Sequence, residues 1–270
     1  MPERPIKLVA IDLDGTLLNS NKQVSEQTVR ALRCLPGNGV KVVIASARPP
    51  RSVRHIYRAL GLDTLQINYN GALIWDEPGN RVLFHRPMSG TLVREMCDAA
   101  RACCDDVLVS CEILDRWFTD RPDNTYTTET GRLFKPDYVG PIESFCNRPI
   151  TKLMFLGAEE LMKRIEPVIV EKFGGLVTVL HADKDLLQIM DKRVGKSAAL
   201  RKVAEMYGVD TSEIMAIGDA PNDVGMLQLA GVAVAMDNAH PKVKRVAHWV
   251  APSNNDHGVL AALVRYGLCT

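Results

Sequence analysis

The sequence predicts an α/β protein whose core is a doubly wound, Rossmann-like parallel sheet with an α+β domain inserted into it. Short apolar runs alternate with helical patterns near the N-terminus, paired strands interrupt this alternation, and it returns near Lys196. Strands that alternate with helices favour a parallel sheet, whereas strands that follow each other directly favour an antiparallel one. We therefore expect a discontinuous core, residues 1–84 and 191–270, with residues 85–190 as the inserted domain.

The first strand organises the first half of the core. Residues 8–11 are apolar throughout and lead into Asp12-Leu13-Asp14-Gly15, as expected for a buried parallel strand followed by a sharp turn. Ser25 is a suitable N-cap for the next helix, because its hydroxyl can accept a backbone N–H. The patterns that follow predict helices at 25–35 and 51–60 and strands at 40–45 and 65–67.

The pattern of the sequence changes at about residue 73, shortly before the insert begins. Residues 73–84 predict a hairpin around the turn at Pro78-Gly79. Helices are then predicted at 89–103 and 159–173, and strands at 107–113, 117–119, 150–156, 176–181 and 186–190. After the insert, the parallel pattern resumes with a helix at 196–207 and strands at 214–217, 232–236 and 249–250.

The bulk composition excludes several classes of protein. The chain has 270 residues, and its 33 basic and 32 acidic side chains give a net charge of +1, so no nucleic-acid or membrane surface is predicted. No apolar run approaches the ~18–20 residues that span a bilayer. Seven cysteines without C-x-x-C spacing indicate reduced thiols, and the first strand leaves no room for a signal peptide. We expect a cytoplasmic monomer or small homo-oligomer.

Polar side chains follow three of the predicted parallel strands. Because the carboxyl ends of parallel strands meet at one edge of a sheet, we expect these groups to share a crevice, which a lysine at the start of a helix could also reach. The set comprises Asp12, Asp14, Ser46, Arg48, Asp219, Asn222, Asp223 and Lys196.

The charges of this set predict a divalent cation. Four carboxylates at one edge would repel each other and a phosphate unless cations neutralised them. Asp12, Asp14 and Asp219 offer hard oxygen ligands with no Cys or His set nearby, which favours Mg²⁺ over zinc. Lys196 and Arg48 would offset the remaining charge. Crowding by other carboxylates is expected to raise the pKa of Asp14, so that it is protonated for part of the cycle.

The run Asp12-Leu13-Asp14-Gly15-Thr16-Leu17-Leu18 resembles the first motif of the haloacid dehalogenase (HAD) superfamily of phosphotransferases. This resemblance implies that Asp12 is a nucleophile that becomes phosphorylated and that Asp14 is the general acid and base. Lys196 resembles the third motif, with Gly195 where Ser is usual. Residues 218–223 resemble the fourth motif, which implies that Asp219 is a metal ligand and that Asp223 orients the site.

Ser46-Ala47-Arg48-Pro49 resembles the second motif, with Ser for Thr and Ala for Gly. A positive φ at Ala47, if the loop required one, would be strained. The resemblance implies a phosphate site, and the groups expected to hold the phosphate are the Ser46 hydroxyl, the backbone amides of Leu13 and Ala47, and the side chains of Arg48, Lys196 and Asn222.

Asn70-Gly71-Ala72 and residues 230–239 resemble the branch of the superfamily called subfamily IIB, or Cof-like, which carries a large C2-type cap. The insert would then be the cap that covers the crevice and contacts the leaving group. Candidate substrate residues are Asn70, Arg116, Trp117, Asn124 and Tyr126, although Trp117 could equally belong to a core.

The function implied is that of a Mg²⁺-dependent phosphomonoesterase that hydrolyses a small phosphorylated metabolite, a sugar phosphate, through an aspartyl-phosphate. Three alternatives stay open at this point. A phosphomutase uses the same Asp pair but needs a bisphosphate activator. A phospho-receiver combines acidic strand ends with a Ser or Thr and a Lys, but lacks D-x-D-G-T and a cap. A catalytically silent relative would act as a binding protein.

Overall fold

The computed structural model describes residues 4–122, 125–126 and 129–269. Their contacts divide the chain into two compact units. The first unit combines the residues up to Phe84 with those from Gly195 onward, and the second unit is His85–Val194.

The strands of the described residues are β1 (Leu8–Ile11), β2 (Lys41–Ile44), β3 (Leu65–Asn68), β4 (Leu73–Asp76), β5 (Arg81–His85), β6 (Leu108–Ile113), β7 (Arg116–Thr119), β8 (Tyr138–Val139), β9 (Lys152–Leu156), β10 (Val177–Asp183), β11 (Leu186–Asp191), β12 (Ile214–Gly218), β13 (Val232–Met236) and β14 (Trp249–Ala251). The α-helices are α1 (Glu26–Cys34), α2 (Pro50–Ala59), α3 (Gly90–Cys103), α4 (Glu129–Leu133), α5 (Glu159–Phe173), α6 (Lys196–Tyr207), α7 (Val224–Leu229), α8 (Pro241–Lys244) and α9 (Gly258–Arg265).

A five-stranded parallel sheet, in the order β14-β13-β12-β1-β2, forms the centre of the first unit. All four residues of β1 are fully buried, which explains why the strand is apolar throughout. Burying each large side chain of this kind contributes about 1.5–3 kcal/mol. The predicted doubly wound parallel sheet with additional antiparallel strands is confirmed.

The third predicted strand is connected differently from the first two. A single parallel bridge between Ala45 and Ile67 links β3 to the end of β2, and β3 then pairs antiparallel with β4 in a separate sheet of order β3-β4-β5. The physical reason is the short turn between β3 and β4, in which Tyr69 and Asn70 have positive φ values of 50° and 55°. Such a turn reverses the chain, whereas parallel neighbours need a longer crossover.

The second unit contains a six-stranded sheet of order β10-β11-β9-β6-β7-β8, in which the described pairs are antiparallel except for β7 with β8. Helices α3 and α5 pack against each other beside this sheet. Ser89 caps α3 by accepting a hydrogen bond from the amide of Leu92. Paired strands with two main helices match the α+β pattern predicted for this region.

Within the described parts of the chain, every helix is too short or too polar to span a bilayer.

Candidate active site

A buried lysine joins two carboxylates at the carboxyl edge of the parallel sheet. Lys196 is the first residue of α6, and its Nζ lies 2.5 Å from Asp12 Oδ1 and 2.7 Å from Asp223 Oδ1. The Lys196 and Asp223 side chains are fully buried, and only 8% of the Asp12 side chain is exposed. Residues from β1, α6 and the turn after β12 therefore meet at one point.

Burial and the neighbouring charges have opposite effects on the pKa of Lys196. Burial would lower the pKa of Lys196, but the Asp12 and Asp223 carboxylates outweigh it and raise that pKa, so the ammonium stays charged. Burial raises the pKa of Asp12 well above its usual range, against the lowering effect of the lysine. A buried carboxyl group in this position needs cations nearby if it is to be ionised.

The turn after β12 is organised around Asp223. One oxygen of this carboxylate accepts the backbone amides of Asp219 and Ala220, each at 3.0 Å, while the other accepts Lys196. Asp219 in turn accepts the Thr16 hydroxyl at 2.8 Å, and burial raises the pKa of Asp219. Asp223 thus contacts both the lysine and the backbone of the neighbouring acidic residue.

Three carboxylates lie close enough to hold a cation together. Asp12, Asp219 and Asp223 each offer an oxygen atom, and these atoms lie within 4.8 Å of one another. The close approach of the loop after β1 depends on Gly15, which has φ of +81° and where a Cβ atom would overlap the Asp219 carboxylate. Oxygen-only donors suit a hard divalent cation. The residues present therefore fit a divalent ion.

Asp14 is placed differently from the sequence-based prediction. Its carboxylate accepts two hydrogen bonds from Arg48, at 2.7 Å from Nε and 2.5 Å from Nη2, and a third from Lys22 Nζ at 2.7 Å. The three carboxylates that lie close enough to hold an ion together are those of Asp12, Asp219 and Asp223, whereas the Asp14 carboxylate, which the prediction counted as a ligand, pairs with two cations.

The prediction that the pKa of Asp14 is raised is wrong. Burial would raise the pKa of Asp14, but the hydrogen bonds and charges of Arg48 and Lys22 outweigh burial and lower it. The prediction counted Arg48 only toward the total charge of the site and the binding of phosphate, whereas Arg48 and Lys22 contact the Asp14 carboxylate directly.

The loop after β2 carries Ser46, Ala47 and Arg48, three of the residues that the sequence predicts to bind phosphate. Ser46 is buried, and its hydroxyl accepts the amide of Arg48 at 3.1 Å. Ala47 does not adopt a positive φ, so the strain considered for this substitution does not arise. Among the described residues, the amides of Leu13 and Ala47 have no protein acceptor. These two donors therefore remain available to an anion.

Asn70 and Asn222 contact each other. The Asn222 side-chain amide donates to Asn70 Oδ1 at 2.8 Å, which links the turn after β3 to the turn after β12. Gly71, with φ of +101°, packs so closely on the Gly195 carbonyl that a Cβ atom would overlap it. The turn that carries Asn70 therefore lies against the start of α6, beside Lys196.

The candidate substrate residues of the second unit have separate environments. Arg116 is exposed at the start of β7. Trp117 and Tyr126 pack against a small apolar cluster, and the Trp117 indole donates to the Ser110 hydroxyl. Asn124 lies outside the described residues. The cluster is formed by Leu108, Met154, Leu156 and Leu186.

Two residues of the site were missed by sequence reasoning. Thr16 lies within the D-x-D-G-T run, and its fixed spacing from Asp12 is a signal that could have identified it as a partner of an acidic residue. Lys22 has no such signal, because its contact with Asp14 depends on the path of an irregular loop.

A buried lysine among acidic strand ends on a doubly wound parallel sheet is the arrangement that the HAD motifs predict. The family model described as haloacid dehalogenase-like hydrolase matches residues 9–263, and the chain therefore belongs to this family. The predicted superfamily is confirmed.

Three relatives are similar to this chain over nearly the full length of both proteins. A putative phosphatase of Streptococcus pyogenes is 30% identical, covering 97% of this chain and 99% of the relative. The 5-amino-6-(5-phospho-D-ribitylamino)uracil phosphatase YitU of Bacillus subtilis is 28% identical, covering 95% and 97%. The solved structure of BT1666, a HAD superfamily phosphatase from Bacteroides thetaiotaomicron, has a TM-score of 0.81 at 29% identity, covering 100% of this chain and 98% of BT1666.

These matches confirm the prediction of an enzyme of the phosphatase class that acts on small phosphorylated substrates. The phospho-receiver and the silent binding protein, which the sequence had left open, find no support in them.

Proposed function

We propose that the chain is a Mg²⁺-dependent phosphomonoesterase that hydrolyses a sugar phosphate or a similar small metabolite through a phosphorylated Asp12. The observation that carries the proposal is the placement of Lys196 Nζ between Asp12 and Asp223, beside Asp219, at one edge of the parallel sheet. Phosphoryl transfer requires both a nucleophile and positive charge at the transferred group, and this arrangement supplies the two together.

In the first half of the reaction, the Asp12 carboxylate attacks phosphorus and the bond from phosphorus to the ester oxygen breaks. Lys196, the Ser46 hydroxyl, the Asn222 amide and the free amides of the two loops hold the phosphoryl oxygens. The leaving oxygen takes a proton from the protonated fraction of Asp14, which is small because Arg48 and Lys22 lower the pKa of this group. Positioning and charge stabilisation contribute most of the acceleration in such a site.

In the second half, Asp14 removes a proton from water, which attacks the phosphorus of the aspartyl-phosphate. The bond to the Asp12 oxygen breaks and inorganic phosphate is released. The hydrogen bonds from Arg48 hold the Asp14 carboxylate in one orientation for this step. General acid and base catalysis of this kind contributes about 10²–10⁴-fold.

Asp12, Asp219 and Asp223 would hold the Mg²⁺ ion. When bound, it would supply positive charge that offsets the carboxylates and attracts the phosphoryl oxygens. Four carboxylates of the site, those of Asp12, Asp14, Asp219 and Asp223, face three described cations, Lys22, Arg48 and Lys196. A divalent ion would therefore make the site attractive to an anion.

The substrate class is inferred from the relatives and from the second unit. YitU acts, by its name, on a phosphorylated ribityl compound, and we infer a phosphorylated polyol or sugar for this chain too. We further propose that the unit around β6 to β11 is the cap and selects the substrate, with Arg116 and Tyr126 as candidate contacts.

Chelation is expected to abolish phosphatase activity. Treatment with EDTA should stop the release of phosphate from p-nitrophenyl phosphate, and added Mg²⁺ should restore it, because the buried carboxylates then regain their counter-charge. Released phosphate is the measurement, with the same enzyme passed through buffer alone as the control. Undiminished turnover after removal of all divalent ions would contradict the proposed metal dependence.

The same assay, repeated over a panel of sugar phosphates, identifies the substrate. It also separates a phosphatase from a phosphomutase, since a mutase would return an isomeric sugar phosphate only when a bisphosphate is added.

A further inference from the structure

Asp14 is held from two sides by cations that come from different parts of the first unit. Arg48, from the loop after β2, contacts both Asp14 oxygens, and Lys22, from the loop between β1 and α1, contacts Oδ1 at 2.7 Å. The Lys22 side chain is 54% exposed, so its ion pair with Asp14 contributes little to folding stability. Folding stability therefore does not explain why Lys22 contacts Asp14.

The loop that carries Lys22 is tightly organised. The Asn19 side chain accepts the amides of Asn21 and Gln23, each at 3.0 Å, and the Asn19 carbonyl accepts the amide of Lys22 at 2.9 Å. Lys22 itself has a φ of +59°, which is uncommon for a residue with a side chain. Such conformations persist only where surrounding contacts impose them, and they cluster at functional sites.

Three asparagines from the C-terminal part of the chain support this loop, and we call Asn238, Asn254 and Asn255 the asparagine brace. Asn238 donates to the Gly15 carbonyl at 2.8 Å, and Asn254 donates to the Leu18 carbonyl at 2.8 Å.

The third member of the brace holds the part of the loop nearest to Lys22. Asn255 accepts the Ser20 amide at 2.9 Å and donates to the Ser20 hydroxyl at 3.0 Å. Asn254 also connects to Asn238, whose side-chain oxygen accepts the Asn254 amide at 3.0 Å. The brace thus fixes the backbone of the β1–α1 loop at three points between Asp14 and Lys22.

We propose that Lys22 is a positioning residue, which orients the Asp14 carboxylate for proton transfer, and that the asparagine brace holds Lys22 in place for this purpose. The inference rests on the proposed function, because it assigns Lys22 a role only through the acid and base chemistry of Asp14. The fork of hydrogen bonds from Arg48 sets the plane of the Asp14 carboxylate, and Lys22 adds a third contact, at Oδ1, from a different loop. Small displacements of a catalytic group are costly, since about 1 Å can reduce a rate by 10²-fold.

The test uses two nearly isosteric substrates that differ in their need for a proton. The p-nitrophenolate ion leaves readily without protonation, whereas the more basic phenolate ion depends on a general acid. In Lys22→Met, we expect kcat/KM for phenyl phosphate to fall about 10-fold, and kcat/KM for p-nitrophenyl phosphate to fall much less. Lys22→Arg should recover part of the loss, because it restores a cation that can reach the carboxylate.

Lys7→Met is the matched control. Lys7 also lies in the first unit, forms an ion pair of 2.7 Å with Glu213, and has a side chain that is 52% exposed. It should leave kcat/KM unchanged for both substrates. The thermal midpoints of Lys22→Met and Lys7→Met should both stay close to that of the unaltered chain.

A second variant tests the brace. Asn255→Ala should reproduce the selective loss on phenyl phosphate, and the double variant Lys22→Met/Asn255→Ala should lose no more than Lys22→Met alone, because both changes act through one contact. Additive losses would overturn the role of the brace.

Equal losses on the two substrates, or no loss in Lys22→Met, would overturn the inference while leaving the proposed function intact. If the unaltered chain, supplied with Mg²⁺, hydrolyses neither substrate, the proposed function fails and the inference fails with it.

Discussion

Replacing Asp12 with Asn is expected to abolish phosphatase activity, with a loss on the order of 10⁴–10⁶-fold, because it removes the proposed nucleophile. An amide has the same shape as a carboxylate but neither its charge nor its nucleophilicity. Asp12 accepts a hydrogen bond from Lys196 and lies at the end of a fully buried strand, so the substitution changes the chemistry of the site at nearly constant volume. Steady-state release of phosphate measures the effect.

The control for this substitution is Asp63→Asn. Asp63 is an exposed aspartate of the same unit that lies outside the site, and its substitution should leave kcat unchanged. Asp12→Asn should remain folded, since Asp223 still pairs with Lys196. A folded Asp12→Asn protein with near-normal turnover would contradict the assignment of Asp12.

Replacing Lys196 with Met should have the largest combined effect on activity and stability. The Lys196 side chain is fully buried, and its loss would leave Asp12 and Asp223 without their shared cation. Removing one partner from a buried ion pair costs about 3–5 kcal/mol. Activity should fall about 10²–10³-fold or more, because the phosphoryl oxygens lose a preorganised donor. Urea unfolding and steady-state kinetics measure the two effects.

Two further variants identify the cause of the Lys196 effect. Lys202→Met changes a lysine of the same helix, whose ammonium lies 5.0 Å from the centre of the Phe84 ring, and it should retain full activity. The double variant Lys196→Met/Asp223→Asn removes one uncompensated carboxylate and should regain part of the lost stability but no activity. If Lys196→Met alone were as stable and as active as the unaltered chain, the ion-pair network would have no role.

The regular strands of the core could be predicted from the sequence, because their residues follow a recognisable hydrophobic pattern. The apolar run of β1 and its acidic end predict a buried strand that opens into a crevice, and the patterns around β2 and β12 predict two further buried strands of the same sheet. Because parallel strands align their carboxyl ends, the same patterns predict that Asp12 and Asp219 lie near each other. The described structure has this alignment, with Ile11 of β1 opposite Ile217 of β12.

Irregular segments could not be predicted in this way. The reversal after β3 depends on the left-handed conformations of Tyr69 and Asn70, and no periodic pattern encodes them. The short helix α9 was not predicted either, although its buried Val259, Ala262 and Leu263 pack into the core.

The electrostatic environment of Asp14 shows the same limit. Spacing places Asp14 beside other carboxylates, but its actual partners come from two loops, and one of them, Lys22, depends on a backbone with positive φ. The direction of the pKa shift therefore followed from tertiary contacts that the sequence does not display. Residue types at strand ends indicate the chemistry of a site, whereas loop paths determine the charge state of each group.

The most direct test of the proposed mechanism is to identify the residue that carries the phosphoryl group during turnover. The enzyme would be mixed with substrate and Mg²⁺, quenched in acid within milliseconds, and treated with borohydride, which reduces an aspartyl-phosphate to homoserine. Mass spectrometry of the peptides should then find homoserine at position 12 and at no other aspartate. Homoserine at another position, or its absence under conditions in which hydrolysis of the aspartyl-phosphate is rate-limiting, would contradict the account.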